Sequence, residues 1–467
     1  MEQYDVAIVG AGPAGIFTAL ELVRRAPGLG IVLLEKGKPI EKRSCPANTT
    51  GARCVGCQPC CVTSGWGGAG AFSDGKLTLT NEFGGVLDQY VGQDLARELI
   101  EYVDGVYLQF GATTEVFGTD ELQMKELGRK AVAAGLTLVP ARVRHIGTEH
   151  CPVILKGMRD FLAPRVKIMT ESEVEQIIVE STASGEARVA GVKLTTGEEI
   201  RASTVVCAPG RGGAEWMARE ARRLGIQLYS NAVDIGVRVE VPAVVLEPLT
   251  SVSYEPKLHF FSITFDDPVR TFCVCPYGEV VIENVNGLIT VNGHSRRDVR
   301  TENTNFALLV SKTFTEPFKE PITYGRYIAS LANILGGNVI VQRLGDLMAG
   351  RRSTEKRIAK SMVQPTLREA TPGDLSLVLP YRFLIDIIEM LDAMERMVPG
   401  INSRYTLLYG VEVKFYSSRL EVGRDLQTKV KGLYACGDGA GITRGLAQAS
   451  ASGVYVARQI VGALRGK

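Results

Sequence analysis

Five of the chain's ten cysteines lie between Cys45 and Cys61. In a chain this long, such crowding points to metal or redox chemistry more than to a disulfide staple. Cys54-x-x-Cys57-x-x-Cys60 has the tight spacing by which a loop wraps zinc or an iron–sulfur cluster, with Cys45 or Cys61 as the fourth ligand. The three-residue gap and Cys-Pro ending of the usual ferredoxin run are missing. A redox dithiol and thiols that line a pocket without a ligand are the other two readings. Farther along, Cys273-Val274-Cys275 runs into Pro276-Tyr277-Gly278, and strand alternation puts both thiols on one face. They suit a catalytic pocket, or the plain packing of two small apolar residues. His145 and His294 sit beside glycines and suit acid–base work in a turn, or an ordinary hydrogen-bonded histidine. Arg351-Arg352-Ser353-Thr354 could hold an anion or form a solvated turn.

These groups need elements to position them, and the chain's start supplies one set. Val6-Ala7-Ile8-Val9 is wholly apolar, as in a parallel strand covered on both faces. Gly10-Ala11-Gly12-Pro13-Ala14-Gly15 follows, then a helical pattern over 16–25, then the apolar strand 31–34 ending in Glu35-Lys36. Gly10 permits a tight turn, Gly12 lets backbone approach a pyrophosphate, and Gly15 lets helix and strand pack closely. The helix N-terminus offers N–H groups to phosphate, and Glu35 is placed to accept from a ribose hydroxyl. An acid there disfavours a 2′-phosphate, so the expected ligand is FAD or NAD.

The chain's other end decides between them. Residues 431–436 read as a strand running into Gly437-Asp438-Gly439, with a helix from Gly445 to about 464. Flavoproteins that bind extended FAD commonly carry this arrangement, with the Asp on the ribityl chain or pyrophosphate. Residues 189–194 and 199–202 flank a hairpin turn. Strand 204–207 then ends in Ala208-Pro209-Gly210-Arg211, as if returning to the nucleotide domain. Gly67-Gly68-Ala69-Gly70, with Ser73 beyond, is too glycine-rich for a stable helix or strand and suits a flat ring. A flavin dithiol would need a histidine acid near the C-terminus, and the four histidines are His145, His150, His259 and His294.

The Cys-rich loop running into residues 67–77, together with 144–148, 208–211, 271–276, 291–295, 409–412 and 437–441, resembles a family of prokaryotic and plastid FAD-dependent, or NAD(FAD)-utilising, dehydrogenases. They belong to the glutathione-reductase-like flavoprotein superfamily. The resemblance covers nearly the whole chain and implies FAD and an oxidoreductase fold.

Composition agrees with a globular protein: 45% hydrophobic and 22% charged residues. Net charge is 53 − 51 = +2, which gives no electrostatic footprint for nucleic acid. No signal peptide or transmembrane segment is expected, and the protein reads as cytoplasmic. Glycine, 51 of 467 residues, is in excess. The expected fold is α/β: an FAD-binding Rossmann-like domain from 1–214 and 405–467, with an inserted α+β substrate domain over 215–404. Within that insert, 233–241 reads as a strand with one wet face, and 303–310, 322–335 and 382–397 as helices. The expected function is a flavin oxidoreductase passing hydride between a small-molecule substrate and flavin N5, with an unknown electron donor or acceptor. A flavoprotein redox sensor or electron carrier using the Cys-rich loop is one alternative. A flavin-dependent RNA-modifying enzyme is another, disfavoured by charge.

Overall fold

The computed structural model describes residues 3–46, 55–181, 185–285, 287–296, 298–314 and 320–465. The chain forms two units, 1–114 with 144–231 and 416–467, and 115–143 with 232–415.

The first unit is built on a sheet whose strands run in the order Lys167–Met169, Ile31–Leu34, Gln3–Val9, Glu199–Cys207, Ala187–Leu194, Val174–Ser181, with Leu433–Ala435 also paired to Glu199–Cys207. Pairing is parallel among the first four strands and to Leu433–Ala435, and antiparallel through the hairpin at the far edge. Residues 6–9 and 31–34 are buried on both faces, which is why they carry no polar alternation. Helix Pro13–Arg25 crosses from the first strand to the second, giving the Rossmann-like start. Helix Leu446–Arg465 packs on it at a point without side chain. A Cβ on Gly453 would lie 2.1 Å from the Ala14 carbonyl oxygen.

The second unit holds an eight-stranded sheet in the order Thr371–Pro372, Ile340–Arg343, Leu407–Lys414, Val233–Pro242, Asn303–Lys312, Pro268–Cys275, Lys257–Phe261, Thr137–Val139. Helix Tyr381–Met397 buries Phe383, Ile387, Met390, Leu391 and Met394 along one stripe, as its periodicity predicts. Among the described residues, no helix is long and apolar enough to cross a membrane.

Three sequence expectations need correction. The boundaries are not 1–214, 215–404 and 405–467. Residues 115–143 belong with the second unit, because strand Thr137–Val139 pairs with Lys257–Phe261, a partner no local pattern reveals. Residues 215–231 stay with the first unit, where Met217 and Ala221 join its core. Residues 303–310 are strand, not helix. Flanked on both sides by strands, Asn303–Lys312 has its first eight residues buried, so sheet packing overrides a weak helical pattern. Finally, Val233–Pro242 has no wet face. Asp234, Arg238 and Glu240 are buried with polar partners.

Candidate functional site: a glycine-lined cradle between two helix ends

Within the first unit, the glycines of the two nucleotide motifs do two different jobs. Some are spaces already filled by backbone. A Cβ on Gly10 would lie 2.2 Å from the Ala208 carbonyl oxygen, and one on Gly15 1.9 Å from that of Gly10. One on Gly437 would meet the Ala14 Cβ at 2.9 Å. Three others point at nothing. A Cβ on Gly12, Gly210 or Gly445 would find no atom within 4 Å. Gly12 precedes the first turn of helix Pro13–Arg25, and no side chain caps it. Gly445 precedes helix Leu446–Arg465, and its carbonyl accepts from Ala449 N–H at 2.9 Å. Each helix therefore opens on a glycine with clear space before its first-turn N–H groups.

The glycine loop touches both helix ends. Gly67 N–H donates to the Ala11 carbonyl at 2.7 Å. A Cβ on Gly68 would come within 3.1 Å of Gly12 Cα, and one on Gly70 within 2.8 Å of Leu446 and 3.5 Å of Pro13. Ala69 lies in the same short 3-10 turn, Gly68–Phe72. Ser73 serves the loop itself, donating to the Gly70 carbonyl at 3.0 Å and accepting from Gly75 N–H at 3.2 Å. Trp66 is fully buried, and its indole N–H donates to the Leu155 carbonyl at 2.8 Å.

Glu35 is held by backbone. Its carboxylate accepts from Ala11 N–H, Gly37 N–H and Gly65 N–H, each at 2.9 Å. Among the described residues, three of about four lone-pair positions are thus taken by backbone, and one is left for another donor. The side chain ties the first glycine turn to the second glycine loop. Lys36 Nζ reaches the Gly212 carbonyl at 3.3 Å. Asp438 accepts from Thr443 Oγ1 at 2.7 Å and lies 3.7 Å from Arg211 Nε. Burial raises its pKa, while Arg211 and the Thr443 hydrogen bond oppose the rise.

Arg43 escaped the sequence reading entirely. It is buried and donates to four carbonyls: Cys61 at 3.0 Å, Val62 at 2.8 Å, Trp66 at 2.6 Å and Gly68 at 2.8 Å. Its guanidinium also lies 4.9 Å from the Phe72 ring centre. Burial lowers its pKa to about 10, against opposing effects of Glu35, Cys61 and Cys60, so it stays charged at neutral pH. One side chain thus fixes the end of the cysteine loop to the glycine loop. Nothing in its local sequence signals this, because all four acceptors are backbone atoms 18 to 25 residues away. Gln448 was missed too. It is buried in the first turn of the last helix, donates to the Phe83 carbonyl, and leaves its Oε1 without a partner among the described residues.

Of the proposed metal ligands, Cys54 lies outside the described residues. Cys45, Cys57, Cys60 and Cys61 are half-buried, and no three of them converge within 4.8 Å. His145 is buried at the end of strand Val143–His145. In the second unit, Cys273 and Cys275 do meet, with Sγ atoms 3.8 Å apart. Ser353 is buried and bonds Asp346, which also pairs with Arg351. That turn's charge is therefore partly spent inside the fold.

Residues 233–415 match the family described as FAD-dependent protein, C-terminal domain-like. The chain is 27% identical to an uncharacterised protein of Clostridium beijerinckii, covering 97% of this chain and 80% of that one. Among solved structures, it is similar to the Aspergillus oryzae formate oxidase, at 12% identity over 100% of this chain and 99% of that one, TM-score 0.45. It is also similar to L-proline dehydrogenase from P. horikoshii, at 12% identity over 100% and 94%, TM-score 0.42. Both are loose likenesses of shape.

Proposed function

We propose that the first unit binds FAD and that the protein is an FAD-dependent oxidoreductase. Its substrate would be a small molecule, its electrons would be exchanged with a separate donor or acceptor, and its setting would be cytoplasmic. The observation that carries this reading is the pair of glycine-led helix starts at Gly12 and Gly445. Both lack side chain where side chain would fill open space, and both are bridged by the loop 67–70. A pyrophosphate suits such N–H-rich ends. The free lone pair of Glu35 and the unpartnered Oε1 of Gln448 suit hydroxyl or N–H donors of the same ligand. The match of 233–415 to an FAD-dependent family supports the choice of FAD over NAD.

When bound, FAD supplies the two-electron chemistry. The chain's own residues do the rest. Gly12 and Gly445 would admit the phosphates to backbone N–H groups. Glu35 and Arg43 hold the two glycine loops in register. Asp438, with one oxygen bound to Thr443, would be the acidic contact, and buried Trp66 would anchor the base of the loop. The test is the absorption spectrum of protein purified without air, with iron, zinc and labile sulfide assayed. Flavin bands are expected, and protein without bound flavin that also fails to take up added FAD would overturn the reading.

One observation favours the sensor alternative. Arg43 joins the Cys61 carbonyl to the Gly68 carbonyl, so a change in the cysteine loop would reach the glycine loop through one side chain. Tight flavin binding without turnover, but with a conformational response to oxidation, would favour it.

A further inference from the structure

We propose that Cys273 and Cys275 form a reversible thiol–disulfide pair that exchanges with low-molecular-weight disulfides, with Cys273 as the entry thiol and Cys275 as the resolving thiol. It stands whether or not the first unit carries flavin.

An ordinary strand could not do this. Residues two apart on one face have Cβ atoms about 6.6 Å apart at ~3.3 Å rise per residue, against the ~3.8 Å a disulfide requires. Here the strand is broken. Phe272 pairs with Ala307, but Cys275 pairs with Asn305, so two residues on one strand oppose one on the other. Cys273 takes φ +44°, in the left-handed region that non-glycine residues rarely adopt. The bulge folds the pair together until the sulfurs are 3.8 Å apart.

The surroundings differ for the two sulfurs. Cys273 is half-buried, so an incoming disulfide can reach it. Cys275 is fully buried, and Arg238 Nη2 donates to its Sγ at 3.2 Å. The same Nη2 donates to the Cys273 carbonyl at 2.8 Å, and Nε to Asn305 Oδ1 at 2.8 Å. Arg238 is thus locked with one edge against the sulfur. A permanent cation at hydrogen-bond distance favours the thiolate, which is the attacking form. The fit depends on two glycines. A Cβ on Gly293 would lie 1.8 Å from Arg238 Nη2, and one on Gly278 2.9 Å from the Cys275 Cβ. Within the second unit, Glu412 meets Arg238 at 3.3 Å and Lys414 at 3.1 Å, and Lys414 meets Glu283 at 3.4 Å.

The exchange balances as follows. Cys273 Sγ attacks a disulfide R–S–S–R, forming a mixed disulfide and releasing one R–S⁻, which takes up the Cys273 proton. Cys275 thiolate then attacks the Cys273 sulfur, forming the internal S–S bond and expelling the second R–S⁻, which takes up the Cys275 proton. Two protein thiols are oxidised and one small disulfide is reduced to two thiols.

The test uses the full-length protein as purified, equilibrated with mixtures of reduced and oxidised glutathione. It is then alkylated under denaturing acid quench and digested with trypsin. Cleavage at Arg270 and Arg296 yields a peptide, 271–296, whose only cysteines are Cys273 and Cys275. In wild type this peptide should pass from doubly alkylated to unalkylated and two hydrogens lighter as the oxidised fraction rises. Cys275→Ser should instead accumulate glutathione on Cys273, at least about tenfold above wild type, because the resolving step is gone. A wild-type peptide that stays doubly alkylated at every ratio would overturn the proposal, and so would a Cys275→Ser protein that carries no glutathione.

Discussion

The two units solve opposite problems with opposite means. The first keeps the stretches 6–9 and 31–34 of its sheet wholly apolar and works through missing side chains: Gly10 and Gly15 let backbone meet backbone, while Gly12 and Gly445 leave room. The second buries charge inside its sheet, whereas the first unit's buried charges, such as Arg43 and Glu35, sit in its loops. Arg238, Glu240 and Glu412 are all fully inaccessible in a sheet whose neighbours supply their partners. Glu240 alone accepts from Tyr409 Oη, from Asn303 Nδ2 at 3.0 Å and from Thr366 Oγ1 at 2.6 Å. A site made of absent side chains is tolerant of its surroundings. A site made of buried charges fails as soon as one partner is lost.

The largest expected effect follows from that fragility. Glu412→Gln leaves Arg238 without this carboxylate inside the sheet, while Lys414 keeps Glu283 at 3.4 Å. Breaking a buried pair on one side costs about 3–5 kcal/mol. Denaturant unfolding should show a loss of that size. The double change Arg238→Met with Glu412→Leu should recover much of it, since neither charge is then stranded. A single variant as stable as wild type would break the contrast, because the buried charges would then be no liability.

A smaller effect tests the same unit through pH. Asp386 is fully buried on helix Tyr381–Met397, and burial, reinforced by the neighbouring Asp267 charge, pushes its pKa up to about 6. A carboxyl group whose folded pKa lies above its unfolded value makes the native state bind protons more readily. Its penalty is full above about pH 6 and is relieved as pH falls toward the ordinary carboxylate range near ~4. Asp386→Asn should therefore stabilise the protein at pH 8 by on the order of 2 kcal/mol, and add little at pH 4. Equal effects at both values would show that its surroundings do not raise the carboxyl's pKa.

The same contrast explains what the sequence revealed. Glycine spacing at 10–15, 67–70 and 437–445 is a local signal, because the backbone conformation it permits lies in the same few residues. The strands 6–9 and 31–34 were legible for the same reason, being apolar throughout. The wet face expected for 233–241 was not there, because Glu412 reaches Arg238 from 174 residues away and Thr366 reaches Glu240 from 126. Alternating polarity reports that a face is polar, not whether other strands cover it. Strand Asn303–Lys312 and the excursion 115–143 failed likewise, through strand pairing that periodicity does not encode. Glu35 stood out in the sequence but its partners did not, since three backbone N–H groups carry no residue type.

The smallest effect on stability should come from the first unit's open glycine. Gly12→Ala adds a methyl group to space with no atom within 4 Å, at a helix start whose φ is −79° and so suits alanine. Replacing a flexible N-cap glycine by alanine should shift stability by no more than about 0.5–1 kcal/mol. Ligand binding is the other half of the comparison. If the cleared space exists for a pyrophosphate against the helix N–H groups, the same methyl stands where the phosphates must approach. Flavin affinity, measured by retained fluorescence after dialysis, should then fall at least about tenfold, or ~1.4 kcal/mol. Near-neutral stability with weakened flavin binding would separate a glycine kept for a ligand from one kept for packing. Unchanged affinity would place the phosphates elsewhere and leave the clear space before Pro13 without a purpose.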